Sequence, residues 1–424
     1  MTRWLLIGAS LAAIGSAGLS TLAASAQTPV TLTFAAHYND AQMAPLTACF
    51  RAYEAQNPNV RIVYQQSKIE DFLQTLQTAR IAGSAPDIYN VYSIWGAKLV
   101  GDGILAEPPE DMVRFVTENY EPTTVQSATV EDAVWGVPAE VSLYLLVYNK
   151  KLFAEAGINE PPRDWAGVLA AAEKIAKRDS LGKVTTAGYA FGPTVANATH
   201  PFRALLLSKG VPLFNDDLTG TNLTNPAAAE ILSGEAELFS RGLTSASNVV
   251  RDFPSGSVGM MIAANWFEQT LREGLGEAFD ETVGVAPIPG GPDWKTYQYS
   301  FYQAVDAESP NAAEAWKLIR WLNEPREAGK RSCTGDMLIA LGSLTANRAD
   351  IAASEAELGD AFSTPYVEAL SGGRAVPDPN IRQTPEADKV LRTAIEEVWL
   401  GRKDAQNALT EADEAISAIL AEPF

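Results

Sequence analysis

Hydrophobic positions change their spacing repeatedly along the chain, and the changes predict alternating strands and helices. Short apolar runs predict strands at 30–34, 60–64 and 87–91. Apolar residues spaced three and four apart predict a helix after each of the first two strands, with apolar faces at Leu46, Cys49, Phe50 and Tyr53, and at Phe72, Leu73, Leu76 and Ala79. This β-α-β-α-β order predicts an α/β fold with a parallel or mixed sheet covered by helices on both faces.

Ligands of such sheets bind beyond the carboxyl ends of the strands. The loops His37–Asp40 and Tyr92–Trp95 follow the first and third strands, and both are predicted to form walls of a binding pocket.

The alternation continues to the C-terminus. Further strands are predicted at 142–148, 188–191, 258–263 and 299–305, and further helices at 165–176, 266–272, 312–322, 389–400 and 405–420. A chain of 424 residues is too long for one ordinary core, which indicates two globular lobes.

The N-terminus predicts export. Arg3 precedes a charge-free run from Trp4 to Leu22, and Ala24-Ser25-Ala26 then offers a cleavage site for signal peptidase before Gln27. Glycines and serines dilute the run, so residues 1–26 are predicted to be a signal peptide rather than a membrane anchor. No cysteine lies near the cleavage site to carry a lipid. We therefore expect a periplasmic protein that is not a lipoprotein.

Charge and composition exclude several classes of function. Acidic residues outnumber basic ones by 52 to 32, and the net charge of −20 opposes binding to nucleic acid or anionic lipid. Only two histidines occur, and neither HExxH, GxSxG nor a Walker loop is present, so no metal or cofactor is predicted. The matches to GxGxxA at 101–106 and SxxK at 180–183 lack the context that their chemistry needs. A glycosidase remains open as an alternative of a different class, because it needs only two facing carboxylates.

The only two cysteines, Cys49 and Cys333, lie far apart in the sequence and form no CxxC motif. In an oxidising compartment they form either one disulfide or two buried free thiols, and composition alone does not choose between these.

Three segments carry the motifs of a known family. They are WGVP at 135–138 with YNKKLF at 148–153 and PPRDW at 161–165, GSAPDI at 83–88, and GRKD with AL at 401–409. With this spacing, residues 30–424 resemble the family 1 extracellular solute-binding proteins of ABC transporters, the group of the maltose- and glycerol-3-phosphate-binding proteins. Asp164 stands where the family pattern has threonine, and the segment 333–341 is longer than that pattern.

The resemblance implies two α/β lobes joined by a hinge, with the ligand in the cleft between them. The implied lobes comprise residues 27–140 plus 303–342, and 141–302 plus 343–424. It also implies a monomer that is not an enzyme, and that delivers a small solute to the membrane permease. It places Cys49 and Cys333 in the same lobe, and we therefore expect a disulfide between them.

Sugar sites combine aromatic faces with fixed polar groups. Carried over motif by motif, the resemblance implies these ligand-binding candidates: His37, Tyr38, Asn39, Asp40, Ser93, Trp95, Glu140, Ser142, Asn265, Trp266, Tyr299, Ser300, Tyr302 and Arg382. Trp266 is expected to stack on the ligand, whereas Trp316 and Trp321 are expected in the core. The leading ligand class is a carbohydrate or polyol. Glycerol-3-phosphate or a glycerophosphodiester is the alternative, for which Arg382 and Arg374 compete as the cleft arginine.

Overall fold

The computed structural model describes residue 1 and residues 29–422. The predicted signal peptide, apart from Met1, and the predicted cleavage site before Gln27 lie outside the described residues. Among the residues that are described, no helix is long and apolar enough to cross a membrane.

In the described part of the chain, thirteen strands form one nine-stranded mixed sheet and two small hairpins, β4-β5 and β7-β8. The strands are β1 (Val30–Ala36), β2 (Val60–Gln66), β3 (Ile88–Tyr92), β4 (Thr129–Val130), β5 (Ala133–Val134), β6 (Val137–Asn149), β7 (Lys177–Arg178), β8 (Val184–Thr186), β9 (Met260–Ala264), β10 (Val283–Ala286), β11 (Thr296–Val305), β12 (Leu344–Thr345) and β13 (Ala375–Pro377). The large sheet has the order β10-β6-β11-β3-β1-β2, with β9 and β12 paired to β6 and β13 paired to β11. Since β1 is parallel to both neighbours and β11 is antiparallel to β3 and β6, the sheet is mixed.

Eighteen α-helices within the same described residues pack against this sheet and against one another. They are α1 (Asp40–Gln56), α2 (Phe72–Ile81), α3 (Gly96–Gly101), α4 (Glu110–Asn119), α5 (Pro122–Ser127), α6 (Lys150–Glu155), α7 (Trp165–Ile175), α8 (Val195–Ser208), α9 (Pro226–Ser240), α10 (Glu268–Leu275), α11 (Phe279–Thr282), α12 (Ala312–Asn323), α13 (Cys333–Ala340), α14 (Arg348–Ala353), α15 (Glu355–Leu358), α16 (Ser363–Ser371), α17 (Thr384–Trp399) and α18 (Ala405–Leu420).

Short polar side chains fix the beginnings of several helices. The side chain of Asn39 accepts from the backbone N–H of Gln42 at 3.0 Å, and Gln42 accepts in return from the Asn39 N–H, which forms a capping box. Asp164 and Asp404 each accept from the backbone N–H three residues further on and so cap α7 and α18. Threonine, which the family pattern has at the position of Asp164, is also a residue type that caps helices.

Two long strands, β6 and β11, run through the middle of the large sheet. Near its start β6 pairs with β12 at residues 140–141, and nearer its end it pairs with β9 and β10 over residues 144–149. At its start β11 pairs with β13, and over residues 301–305 it pairs with β3. The lobe boundaries predicted at 140/141 and 302/303 fall inside these two strands.

Buried apolar side chains form two clusters. The smaller joins β1, α1, α12 and α13 and contains Trp316, which is 5% exposed, with Trp321 packed partly buried against it. The larger extends along β6 and β11 to α7, α8, α9 and α17. In the smaller cluster, Cys49 and Cys333 are joined in a disulfide with their Cα atoms 6.2 Å apart.

Two predicted elements differ from the structure. The predicted strand at 188–191 is irregular, with isolated bridges from Ala187 to Val258 and from Phe191 to Val249. A Cβ on Gly188 would lie 2.4 Å from the backbone of Ala172, so close packing against α7 replaces regular pairing here. The predicted helix at 266–272 begins as a 3-10 turn at Asn265–Phe267 and becomes α-helical only at Glu268.

Candidate functional site

The end of β1, the start of β6 and the segment before β12 meet around one buried carboxylate. Glu140 is 4% exposed and accepts hydrogen bonds from the hydroxyl of Tyr38 at 2.5 Å and from that of Ser343 at 2.8 Å. Burial raises the pKa of Glu140, and the two hydrogen bonds oppose that rise. Tyr38 and Glu140, both predicted site residues, are thus in direct contact, and Ser343 joins them from 203 positions further along the chain.

His37 lies beside Tyr38, and its ring packs against β11. Its ring stacks on Phe301 with centroids 4.5 Å apart, and the ring of Tyr38 lies 4.0 Å away. The side chain is partly exposed, but its Nδ1 is buried and has no hydrogen-bond partner. Burial lowers the pKa of His37 to about 4, so the ring is neutral at pH 7.

Four aromatic side chains, which we call the aromatic row, continue from His37: Phe301, Tyr92, Tyr299 and Trp266. The ring of Tyr92 lies 5.0 Å from both Phe301 and Tyr299, stacked on the first and edge-on to the second. The indole Nε1 of Trp266 donates to the hydroxyl of Tyr299 at 2.7 Å. Trp266 is partly exposed, whereas Tyr92 and Tyr299 are buried. The row therefore offers apolar ring surface next to the carboxylate of Glu140.

Two buried polar atoms around the row, Nδ1 of His37 and Oγ of Ser300, have no hydrogen-bond partner. The side chains of Asn90 and Ser142 lie within hydrogen-bonding reach of the hydroxyls of Tyr38 and Tyr299. Because buried polar groups are normally satisfied, the two open atoms suit a molecule rich in hydroxyls.

Other predicted site residues have structural partners. Asn265 accepts from the N–H of Leu143 and donates to the carbonyl of Val141, so it ties β9 to β6. Ser93 accepts from the N–H of Ser300 at 3.1 Å.

The remaining candidates occupy varied positions. Tyr302 is fully buried, and its ring and hydroxyl fill the space beside Gly96 and Gly136. Trp95 stacks on Phe72 and meets Tyr92 edge-on at 5.2 Å, so it borders the aromatic row.

Asn39 is taken up by the cap of α1, and Asp40, the first residue of that helix, is exposed. Arg382 forms an ion pair with Asp102. Arg374 donates to the carbonyl of Trp294, before the start of β11.

Sequence reasoning missed Tyr92, Phe301, Tyr144 and His200, which all contribute to or contact the row. Tyr92 belongs to a loop that was predicted as a pocket wall, and Phe301 lies between two predicted residues. His200 gave no local signal, because it lies within an apolar helical segment.

A buried network of ion pairs lies near the row. Arg203 on α8 is 2% exposed and forms ion pairs with Asp378 at 2.6 Å and Asp388 at 2.8 Å. Its Nη1 also donates to the hydroxyl of Tyr297. Two carboxylates thus face one guanidinium, which leaves this group with a surplus of negative charge. Within the described residues, no three His, Cys, Asp or Glu side chains are grouped to hold a metal ion.

Residues 38–329, more than half of the chain, match the family of bacterial extracellular solute-binding proteins. The chain belongs to this family. It is 28% identical over 390 residues to a binding protein of Brucella abortus (strain 2308), which covers 87% of this chain and 88% of that one. It is 25% identical over 330 residues to an ABC transporter-binding protein of Deinococcus radiodurans, with 73% and 76% covered.

Solved structures show the same two-lobed α/β fold. The GacH receptor of Streptomyces glaucescens, studied unliganded and with acarbose, superposes with a TM-score of 0.78 at 21% identity, covering 93% of this chain and 99% of that one. An ABC transporter solute-binding protein of Thermotoga lettingae, bound to alpha-D-tagatose, gives 0.78 at 22% identity, with 92% and 100% covered. The predicted fold class is therefore confirmed. The chain is a substrate-binding protein of an ABC transporter, and the prediction that it is not an enzyme is confirmed by its family.

Proposed function

We propose that this protein captures a carbohydrate or polyol in the cleft between its two lobes and delivers it to the permease of its transporter. The aromatic row beside unpaired polar atoms is the observation that carries the proposal. A sugar presents apolar C–H faces and many hydroxyls, and it would use both kinds of surface. The solved structures named above hold acarbose and tagatose, which agrees with this class.

The ligand-binding residues would come from both lobes. His37, Tyr38 and Tyr92 belong to the first, whose proposed limits are 27–140 and 303–342. Trp266 and Tyr299 belong to the second, at 141–302 and 343–424. The strands β6 and β11 cross the boundary, so rotation about them would open and close the cleft.

Electrostatics favour a neutral ligand over a phosphorylated one. Arg203 is already paired with two aspartates, and Arg382 is paired with Asp102. In its ionised form, the buried Glu140 would repel an anion. A phosphate group needs cations with open hydrogen-bonding positions, whereas Arg203 and Arg382 already direct theirs to carboxylates.

We further propose that the mature chain begins at Gln27, works in the periplasm as a monomer and carries no lipid. The charge-free N-terminal run and the Ala24-Ser25-Ala26 site support this localisation.

A thermal-shift screen tests the ligand class. The mature protein is heated with maltose, mannobiose, D-tagatose, sorbitol, glycerol-3-phosphate and glycerophosphocholine, each over a range of concentrations. A solute that binds only the folded state raises Tm as its concentration rises. We expect at least one neutral sugar or polyol to do so and the two phosphates to have no effect. Stabilisation by the phosphates alone would overturn the proposal.

A further inference from the structure

His200 lies in the middle of α8 and contacts side chains from three strands. It is 1% exposed. Its Nδ1 lies 2.8 Å from the hydroxyl of Tyr144 on β6, and its Nε2 lies 3.5 Å from the hydroxyl of Tyr92 at the end of β3. The ring centroids of Tyr297 and Tyr299 lie 4.8 and 5.3 Å from the imidazole. One side chain therefore contacts four tyrosines, of which Tyr92 and Tyr299 belong to the aromatic row.

The contact suits an uncharged ring. A neutral imidazole has one donor and one acceptor, and a tyrosine hydroxyl can serve as either, so both ring nitrogens find a complementary group. Burial, helped by the positive charge of Arg203 one turn further along α8, lowers the pKa of His200 well below its ordinary value. The charged groups nearby are Arg203 and its partners Asp378 and Asp388.

The same tyrosines shape the proposed sugar site. Tyr92 stacks on Phe301, and Tyr299 accepts the hydrogen bond from Trp266. With the proposed boundaries, Tyr92 belongs to the first lobe and His200 to the second. The imidazole therefore bridges the lobes directly beside the aromatic row.

We propose that His200 is a positioning residue for solute capture, which holds the hydroxyls of Tyr92 and Tyr144 at its two nitrogens and thereby orients the aromatic row. The inference rests on the proposed function, which assigns the aromatic row to ligand binding. It does not depend on which sugar binds. Its geometry can therefore be tested without any solute.

The test is NMR of the mature protein labelled with 15N in its histidine rings and tryptophan indoles. The chain has only two histidines, so a His37→Asn variant assigns the ring signals of His200. We expect the ring of His200 to titrate below the ordinary range of histidine. Tyr144→Phe should shift its Nδ1 signal, and Tyr92→Phe should shift its Nε2 signal. Tyr148→Phe is the matched control, since it removes a hydroxyl from the same strand β6 and should leave both signals in place.

The orientation of the row is read from the indole N–H signal of Trp266, assigned with Trp266→Phe. His200→Phe should shift this signal, and His200→Gln, which keeps a donor and an acceptor, should restore it in part. Unchanged ring signals in both tyrosine variants, or an unchanged Trp266 signal in folded His200→Phe, would overturn the proposal. If His200→Phe does not fold, the two tyrosine variants decide. The absence of a thermal shift with every sugar and polyol would contradict the proposed function. It would not affect the interpretation of the NMR signals of His200 and Trp266.

Discussion

The indole of Trp399 on α17 donates a hydrogen bond to the carboxylate of Glu235 on α9 at 2.9 Å. Glu235 is 1% exposed, and among the described residues no Lys, Arg or His forms an ion pair with it. Burial raises the pKa of Glu235 to about 8, and the hydrogen bond from Trp399 opposes that rise. Glu235 therefore prefers its protonated form in the folded state.

This preference makes folding stability depend on pH. Between the ordinary pKa of 4.5 and about 8, the folded state binds more protons than the unfolded state, so the free energy of unfolding falls as pH rises through this window. Glu235→Gln keeps an acceptor for the indole and carries no charge. We expect it to raise Tm at pH 8 and to flatten the decline in Tm between pH 5 and 8. Glu237→Gln on the same helix is the control, because the side chain of Glu237 is 44% exposed and its substitution should leave that decline unchanged.

The buried pairs of Arg203 with Asp378 and Asp388 give a second expectation. Arg203→Met would leave two aspartates buried without their cation, and we expect the free energy of unfolding to fall by about 3–5 kcal/mol. Arg241 pairs with Glu173 and Glu237 at the surface, so Arg241→Met should change the free energy of unfolding far less than Arg203→Met does. Urea titrations of the two variants measure this difference. Similar losses in both would show that the buried network adds nothing beyond a surface ion pair.

The pair Cys49 and Cys333 gives a third expectation. Unreduced, denatured protein should contain no thiol that reacts with iodoacetamide, and reduction should expose two. A bond across 284 positions restricts the unfolded chain strongly, so reduction should lower the free energy of unfolding by up to about 4 kcal/mol. Cys49→Ser should show a similar loss and should not change further on reduction. Two reactive thiols before reduction would rule the bond out in solution.

The fold could be predicted from the sequence where local pattern decides structure. Apolar runs gave β1 and β3, and helical spacing gave α1, because each pattern reflects which face of an element is buried. The strand predicted around Gly188 was wrong, because Gly188 packs closely against Ala172. The local spacing of apolar residues does not indicate such a contact. The site was harder to predict from the sequence, because its contacts also join residues that lie far apart in the chain.

Partners distant in sequence decide what a polar side chain does. Asn265 was predicted to bind the ligand, but its side-chain amide accepts from and donates to the backbone of β6. Glu140 depends on Ser343, and only the folded chain brings the two together. His200 contacts tyrosines from three strands, and no local sequence pattern indicates those contacts. Which candidates contact the ligand stays a prediction.

The role of Trp266 can be separated from a role in the core by one substitution. Its side chain is partly exposed and is held in place by Tyr299, so Trp266→Ala should remove ligand contact more than core packing. We expect the affinity for the sugar that gives the largest thermal shift to fall roughly 10- to 100-fold, or about 1–3 kcal/mol, with Tm nearly unchanged. Trp316→Ala is the contrasting variant, because Trp316 is 5% exposed in the core, and it should cost about 3–5 kcal/mol of stability. Calorimetric titration and melting curves on both variants measure the two quantities separately. A Trp266→Ala protein with a sharply lowered Tm and wild-type affinity would place this residue in the core and remove the main aromatic surface from the proposed sugar site.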